Sequence, residues 1–214
     1  MTTVLTELEL DALTEMVNIG VNRAAAGLRE MVGEQVLLSV PKVTLVSRDS
    51  AIATLAETNA HLVGIHQIFE GDVTGRALLI FPDTKSLELV RAVTGGELPL
   101  EEIIELEHEA LAEIGNIILN GCLATIANML QRNLKMSLPE ILRGEPSVFF
   151  NLKPPPDAGD VVMFLYINFA IRQRDIRGYI AMLMDIPSLA ALQVLLGEFI
   201  ERTAGGMAPS NDRS

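Results

Sequence analysis

Residues 15–41 and 113–139 of this chain align without a gap, EMVNIGVNRAAAGLREMVGEQVLLSVP over EIGNIILNGCLATIANMLQRNLKMSLP. The alignment matches Glu15 with Glu113, Asn18 with Asn116, Asn22 with Asn120, Ala26 with Ala124, Met31 with Met129, Ser39 with Ser137 and Pro41 with Pro139. A repeat of this kind is the strongest constraint in the sequence, because two copies of one supersecondary unit predict a pseudo-twofold arrangement. Later segments match as well: Asp72-Val73-Thr74-Gly75 parallels Asp175-Ile176-Arg177-Gly178, at a shifted displacement that implies loop-length changes in between.

Each copy reads as helix, strands, hairpin and helix. Apolar residues at helical period from Leu8 through Ala12, Met16, Ile19, Ala24 and Leu28 to Met31 predict a long helix that starts near Thr6 or Glu7 and stops at Gly33. Strand-rich segments flank Pro41, and a short helix is expected over Ser50–Glu57. HLVGIHQIFEG and VTGRALLIF form a hairpin signal around Gly71 and Asp72, followed by a helix that ends at Gly95 and Gly96. The second half repeats this: an acidic lead, EEIIELEHEALAE, feeds a helix to about Leu130, with Leu and Ile at 103, 106, 111, 114, 117 and 118 as its buried face. Strands are expected at Leu134–Leu138 and Val148–Leu152, then a loop through Pro154, Pro155 and Pro156, a hairpin from Val161–Ile171 and Tyr179–Met184, and a helix from Pro187 to about Ile200. The expected class is α+β, an internally duplicated pseudo-twofold domain whose antiparallel hairpins form a sheet with two long amphipathic helices. It spans 1–202, as repeats of about 7–97 and 100–202, with a disordered tail over 203–214.

Composition narrows the function. The 28 acidic residues outnumber the 16 Lys and Arg, giving a net charge of −12, and aromatic residues make up only 4% with no Trp. Phosphate backbones would be repelled and base-stacking platforms are scarce, so nucleic acid is not an expected partner. Cys122 is the single cysteine, which excludes an internal disulfide or a cysteine-based zinc site and suggests a buried core thiol. No clustering of His61, His66 or His108 with carboxylates suggests a metal site. Gly95-Gly96 lacks the Lys and Ser or Thr of a phosphate loop. The N-terminus lacks a basic, cleavable leader, and the apolar run VVMFLYINFAI is too short to span a bilayer, so a cytoplasmic location without membrane insertion is expected.

The long helices carry a polar stripe. Asp11, Glu15, Asn18 and Asn22 fall at i, i+4, i+7 and i+11, and Glu109, Glu113, Asn116 and Asn120 repeat the stripe 98 positions later. Such a stripe is ordinarily a solvated face. Asparagine, however, costs a helix about half a kcal/mol relative to alanine, yet it stands mid-helix at equivalent places in both copies. A carboxylate three residues before a carboxamide points into the same volume. The carboxylate can pair with a cation and the carboxamide can orient a water, while neither is a strong nucleophile. The pair therefore suits positioning, as in phosphoryl hydrolysis where a residue aligns the attacking water.

These residues resemble the signature of the CheC-type chemotaxis phosphatases, a family that includes CheX and FliY: Asp or Ser, Glu four on, Asn three further, and Pro after twenty-two intervening residues. Asp11, Glu15, Asn18 and Pro41 fit throughout; Glu109, Glu113, Asn116 and Pro139 fit except that Glu109 replaces Asp or Ser. The resemblance covers the duplicated body from about Glu7 to Ile200. It implies a hydrolase acting on the aspartyl phosphate of a CheY-like receiver domain. Glu15 and Glu113 would engage the receiver's lysine, and Asn18 and Asn116 would align water. Asp11, Asn22, Glu109 and Asn120 would complete the partner-binding faces. No cofactor of its own is implied, since the Mg²⁺ belongs to the receiver. The first copy is expected to be the surer site, with each single Asn variant retaining part of the activity. A rival reading is a non-catalytic adaptor that binds a receiver, a CheD-type deamidase or a flagellar switch component. A third is a structural module with a solvated stripe.

Overall fold

The computed structural model describes residues 5–33, 35–58, 60–94, 99–151, 158–171 and 174–205. The first half runs α1 (Glu7–Val32), β1 (Val36–Ser39), β2 (Val43–Ser47), α2 (Arg48–Thr58), β3 (Leu62–Gly71), β4 (Gly75–Pro82) and α3 (Ser86–Val93), with a 3-10 turn at Asp83–Lys85. The second repeats that order as α4 (Leu100–Met129), β5 (Leu134–Met136), β6 (Glu140–Gly144), α5 (Pro146–Phe150), β7 (Ala158–Ile171), β8 (Arg174–Asp185) and α6 (Ile186–Gly205). The α+β class and the duplicated helix-and-hairpin arrangement read from the sequence are borne out.

Local chemistry sets the ends of α1. The Thr6 hydroxyl accepts from the Glu9 N–H, and the Glu9 carboxylate accepts from the Thr6 N–H, a reciprocal capping box. Gly33, at φ 72°, closes the helix with its N–H on the Arg29 carbonyl. Its counterpart at the end of α4 is Gln131, which takes the same left-handed conformation at φ 57° although it carries a side chain.

The halves are cross-paired. The eight-stranded sheet has the order β1-β7-β8-β4-β3-β5, with β2 also on β7 and β6 also on β3. The opening strands of each half thus lie on the hairpin of the other. At the centre the equivalent strands β4 and β8 pair antiparallel, from Gly75 opposite Met184 to Ile80 opposite Tyr179. Side chains alternate between faces. Ile65, Phe69, Leu79, Leu165, Phe169 and Ile180 enter the main core under the helices, whereas Leu78, Ile80, Phe164 and Ala181 join a smaller cluster with Ala51 and Leu55 of α2 and Phe149 and Phe150 of α5.

In the helical layer α1 lies on α4. A Cβ at Gly20 would sit 2.7 Å from the Cys122 Cα and 2.9 Å from the Gly121 carbonyl oxygen, so glycine is what lets the two backbones touch. Cys122 is fully buried there, and burial pushes its thiol up to about 12. α4 is long and apolar enough to cross a membrane, but 56% of its most apolar window is buried in the fold, where it is a core helix.

Several expectations need correction. The strand expected at Val148–Leu152 is instead α5 through Phe150, because Pro146 occupies its first turn and presets a helical φ. The strand missed in that region is β6, just after Pro139, the counterpart of β2 after Pro41. Leu8 at 61% and Met31 at 38% exposure lie off the buried face of α1, which is Leu13, Met16, Val17, Val21, Ala24 and Leu28; Leu106 is likewise exposed on α4. The acidic lead, with His108, is itself part of α4, which begins at Leu100, and α6 continues past Thr203 to Gly205. The glycine pair 95–96, the proline run 154–156 and residues 206–214 fall outside the described residues.

Candidate functional site

The two stripes stand on the exposed rims of α1 and α4. Asp11, Glu15 and Asn22 are exposed, as are Glu109 and Glu113, while Asn18, Asn116 and Asn120 are half-buried. The helices hold each Glu one turn before its Asn. What each Asn does differs between the halves.

Asn18 clamps the chain where β1 ends. Its Nδ2 donates to the Thr14 carbonyl at 3.0 Å and to the Val40 carbonyl at 2.9 Å, and its Oδ1 accepts from the Val40 N–H at 3.2 Å. The Thr14 hydroxyl adds a second stitch, accepting from the Val43 N–H at 3.3 Å while donating to the Leu10 carbonyl. The ladder to β7 lapses between Ser39 and Val43, so Val40, which is 1% exposed, depends on Asn18 for both of its backbone groups. In the first half this gives the Asn-to-Pro spacing a structural role: proline interrupts the strand, and the asparagine caps the residue before it.

Asn116 makes none of those bonds. Its Oδ1 accepts from Gln67 Nε2 at 3.2 Å and from Asn120 Nδ2 at 2.6 Å, and among the described residues its Nδ2 donates to no protein group. The end of β5 is held by others: Gln67 Nε2 donates to the Ser137 carbonyl at 2.9 Å, and the Ile68 N–H donates to the Ser137 hydroxyl. Leu138, the counterpart of the buried Val40, is 86% exposed. Ala112 stands where Thr14 does in the first half, so the second stitch has no equivalent.

Sequence reasoning missed Gln67, a fully buried polar side chain on a strand read as apolar, and Thr14. An amide in the middle of LVGIHQIF was the available signal for Gln67; Thr14 carried none beyond its place one turn before Asn18. Its neighbour His66 is 5% exposed, with Nδ1 3.6 Å from the Glu140 carboxylate. Burial first, and then the charge of Arg76, hold the His66 imidazole below its ordinary pKa, against the pull of Glu140. Nearby, Arg143 of β6 pairs with Asp83 and, at 2.7 Å, with Glu107, whose carboxylate also accepts from Ser86; these bonds keep Glu107 below the usual carboxylate range despite its burial. Among the described residues no group of three or more His, Cys, Asp or Glu side chains is gathered as a metal site.

Known proteins agree with this architecture. No family model matches the chain. It is 25% identical over 198 residues to the CheY-P phosphatase CheC of Bacillus subtilis, covering 89% of this chain and 95% of that protein. It is 24% identical over 144 residues to the putative CheY-P phosphatase CheC1 of Halobacterium salinarum, covering 67% and 73% respectively. In fold it resembles Thermotoga maritima FliY, with a TM-score of 0.69 at 18% identity over 92% of this chain and all of that one. It also resembles a chain of the CheX–CheY–BeF3–Mg²⁺ complex from Borrelia burgdorferi, with a TM-score of 0.51 at 17% identity over 80% of this chain and 99% of that one. In sequence the chain is similar to CheC proteins, and in fold to FliY and CheX, the group its signature resembles.

Proposed function

We propose that this chain is a phosphatase for the aspartyl phosphate of a CheY-like receiver domain, and that its second half is the working site. The observation that carries this reading is the Nδ2 of Asn116, which has no partner among the described residues and lies one helical turn from the exposed Glu113. The similarity to CheC over nearly the whole chain supports the reaction class. Glu113 would pair with a lysine of the receiver, Asn116 would hold the attacking water in line, and Glu109 with the exposed Leu138 would provide docking contacts. The Mg²⁺ at the phosphoryl group would be the receiver's.

The first stripe supports a different role. With both donors and the acceptor of Asn18 engaged, only Asp11, Glu15 and Asn22 are open to a partner, which suits holding a receiver without hydrolysing it. The adaptor reading, with a receiver, a CheD-type deamidase or a switch component as its partner, therefore keeps its best support in that half.

The test is phosphate loss from a CheY receiver phosphorylated with acetyl phosphate. Wild-type protein should speed it, Asn116→Ala should lose on the order of 10² of that acceleration, and Asn18→Ala should keep it per folded molecule. Binding of the phosphorylated receiver without faster hydrolysis would favour the adaptor; equal losses in the two variants would refute the assignment to the second half.

A further inference from the structure

Resting on the reading of Asn116 as the water-holding residue, we infer that Gln67 and Asn120 are positioning residues that make Asn116 a pure hydrogen-bond donor. Two amide N–H groups, 3.2 and 2.6 Å away, occupy the two lone pairs of its Oδ1. A carboxamide with its oxygen saturated cannot accept from water, so its chemistry toward a ligand passes through Nδ2. That group donates to one lone pair of the attacking water, leaving the other to attack phosphorus. Donation to Oδ1 also polarises the amide and strengthens its N–H groups as donors.

The brace is composite. Gln67 lies on β3 of the first half and is fully buried, whereas Asn116 and Asn120 lie on α4 of the second. Its geometry is fixed from behind by the Ser137 carbonyl, which shares Gln67 Nε2. Among the described residues the first stripe has no equivalent. Leu38 pairs with Phe169 as its counterpart Met136 pairs with Phe69, which places Ile167 where Gln67 would be. Asn22, the counterpart of Asn120, is exposed and makes no hydrogen bond among the described residues.

The brace also leaves two acceptors without a protein partner among the described residues, Gln67 Oε1 and Asn120 Oδ1, both buried. A network selected for stability alone would satisfy them or be apolar. An orienting role explains why an amide stands there at all, and it separates the effects of substitution on folding and on rate.

The test uses the full chain in two measurements. In ¹⁵N-labelled wild-type protein the Asn116 side-chain NH₂ should exchange with water at least about 10-fold faster than that of Asn18, with resonances assigned from the Asn18→Ala and Asn116→Asp spectra. Comparable protection would overturn the proposed orientation whether or not any receiver is dephosphorylated. With the acetyl-phosphate-labelled CheY receiver, Gln67→Met should lower kcat about 10-fold or more with KM unchanged and Tm within about 3 °C of wild type. Asn116→Asp, which keeps the acceptor and loses the donors, should fold and be inactive. A Gln67→Met protein with wild-type kcat, or an active Asn116→Asp, would overturn the inference. A wild-type protein that accelerates nothing would instead remove the proposed function, leaving the exchange rates to decide the brace.

Discussion

Replacing Asn18 by alanine should unfold the protein several degrees earlier, while the same change at Asn116 should barely matter. Asn18→Ala deletes three hydrogen bonds, two to Val40 and one to Thr14, and strands both polar groups of a residue that is 1% exposed. At about 1 kcal/mol net for each lost bond, less about 0.5 kcal/mol regained from the better helix propensity of alanine, the loss is roughly 2–3 kcal/mol. In a chain of this size that lowers Tm by about 5–10 °C. Asn116→Ala deletes two bonds, but Gln67 keeps its bond to Ser137 and the half-buried Asn120 can turn to solvent. A loss of about 1 kcal/mol or less, or about 2–4 °C, is expected there. Thermal and urea unfolding followed by far-UV circular dichroism would measure both, and cross-pairing of the halves favours one cooperative transition. Equal shifts, or a larger one for Asn116→Ala, would refute the division of labour between the two residues.

Two further outcomes follow from the packing. Gly20→Ala must move helix backbone, since the added methyl would lie 2.7 Å from the Cys122 Cα; a loss of about 1–3 kcal/mol, seen as a lower urea midpoint at unchanged m, is expected, and a neutral result would contradict the close approach of α1 and α4. His66 has a folded pKa below its ordinary 6.5, so the folded state binds fewer protons than the unfolded one. Its stabilising contribution is therefore complete above 6.5 and declines as pH falls from there toward the folded value. His66→Gln should flatten this part of the stability-against-pH curve, and an unchanged slope there would show that Arg76, Glu140 and burial do not act on His66 as described.

Much of the fold was legible because it was written twice. The second copy supports the long helix and the hairpin of the first, and the constant displacement places both stripes on equivalent helix faces. Val43–Ser47 after Pro41 has its counterpart in β6 after Pro139, whereas Val148, Phe149 and Phe150 have strand-like composition and yet form a helix. Pro146 decides that outcome. The stripes themselves were legible, but their inequality was not, because Asn18 and Asn116 look alike along the chain. The difference lies in what meets them: Thr14 and Val40 of the same half in one case, and Gln67 of the opposite half in the other. Cross-pairing between halves cannot be read from spacing, and Gln67 becomes a neighbour of Asn116 only through it.

The antiparallel seam of β4 with β8 is a self-complementary contact between equivalent strands. Two separate half-chains joined along such a seam would form the same sheet, and any change in one would be imposed on the other. A strand glutamine that built one site would then appear at both. Joining the halves into one polypeptide lifts that bond between copies, so symmetry can break at a single position. Gln67 facing one asparagine, with Ile167 in the matching place, is such a break, and it lets one helix serve as a rivet while the asparagine of its twin is held by different partners.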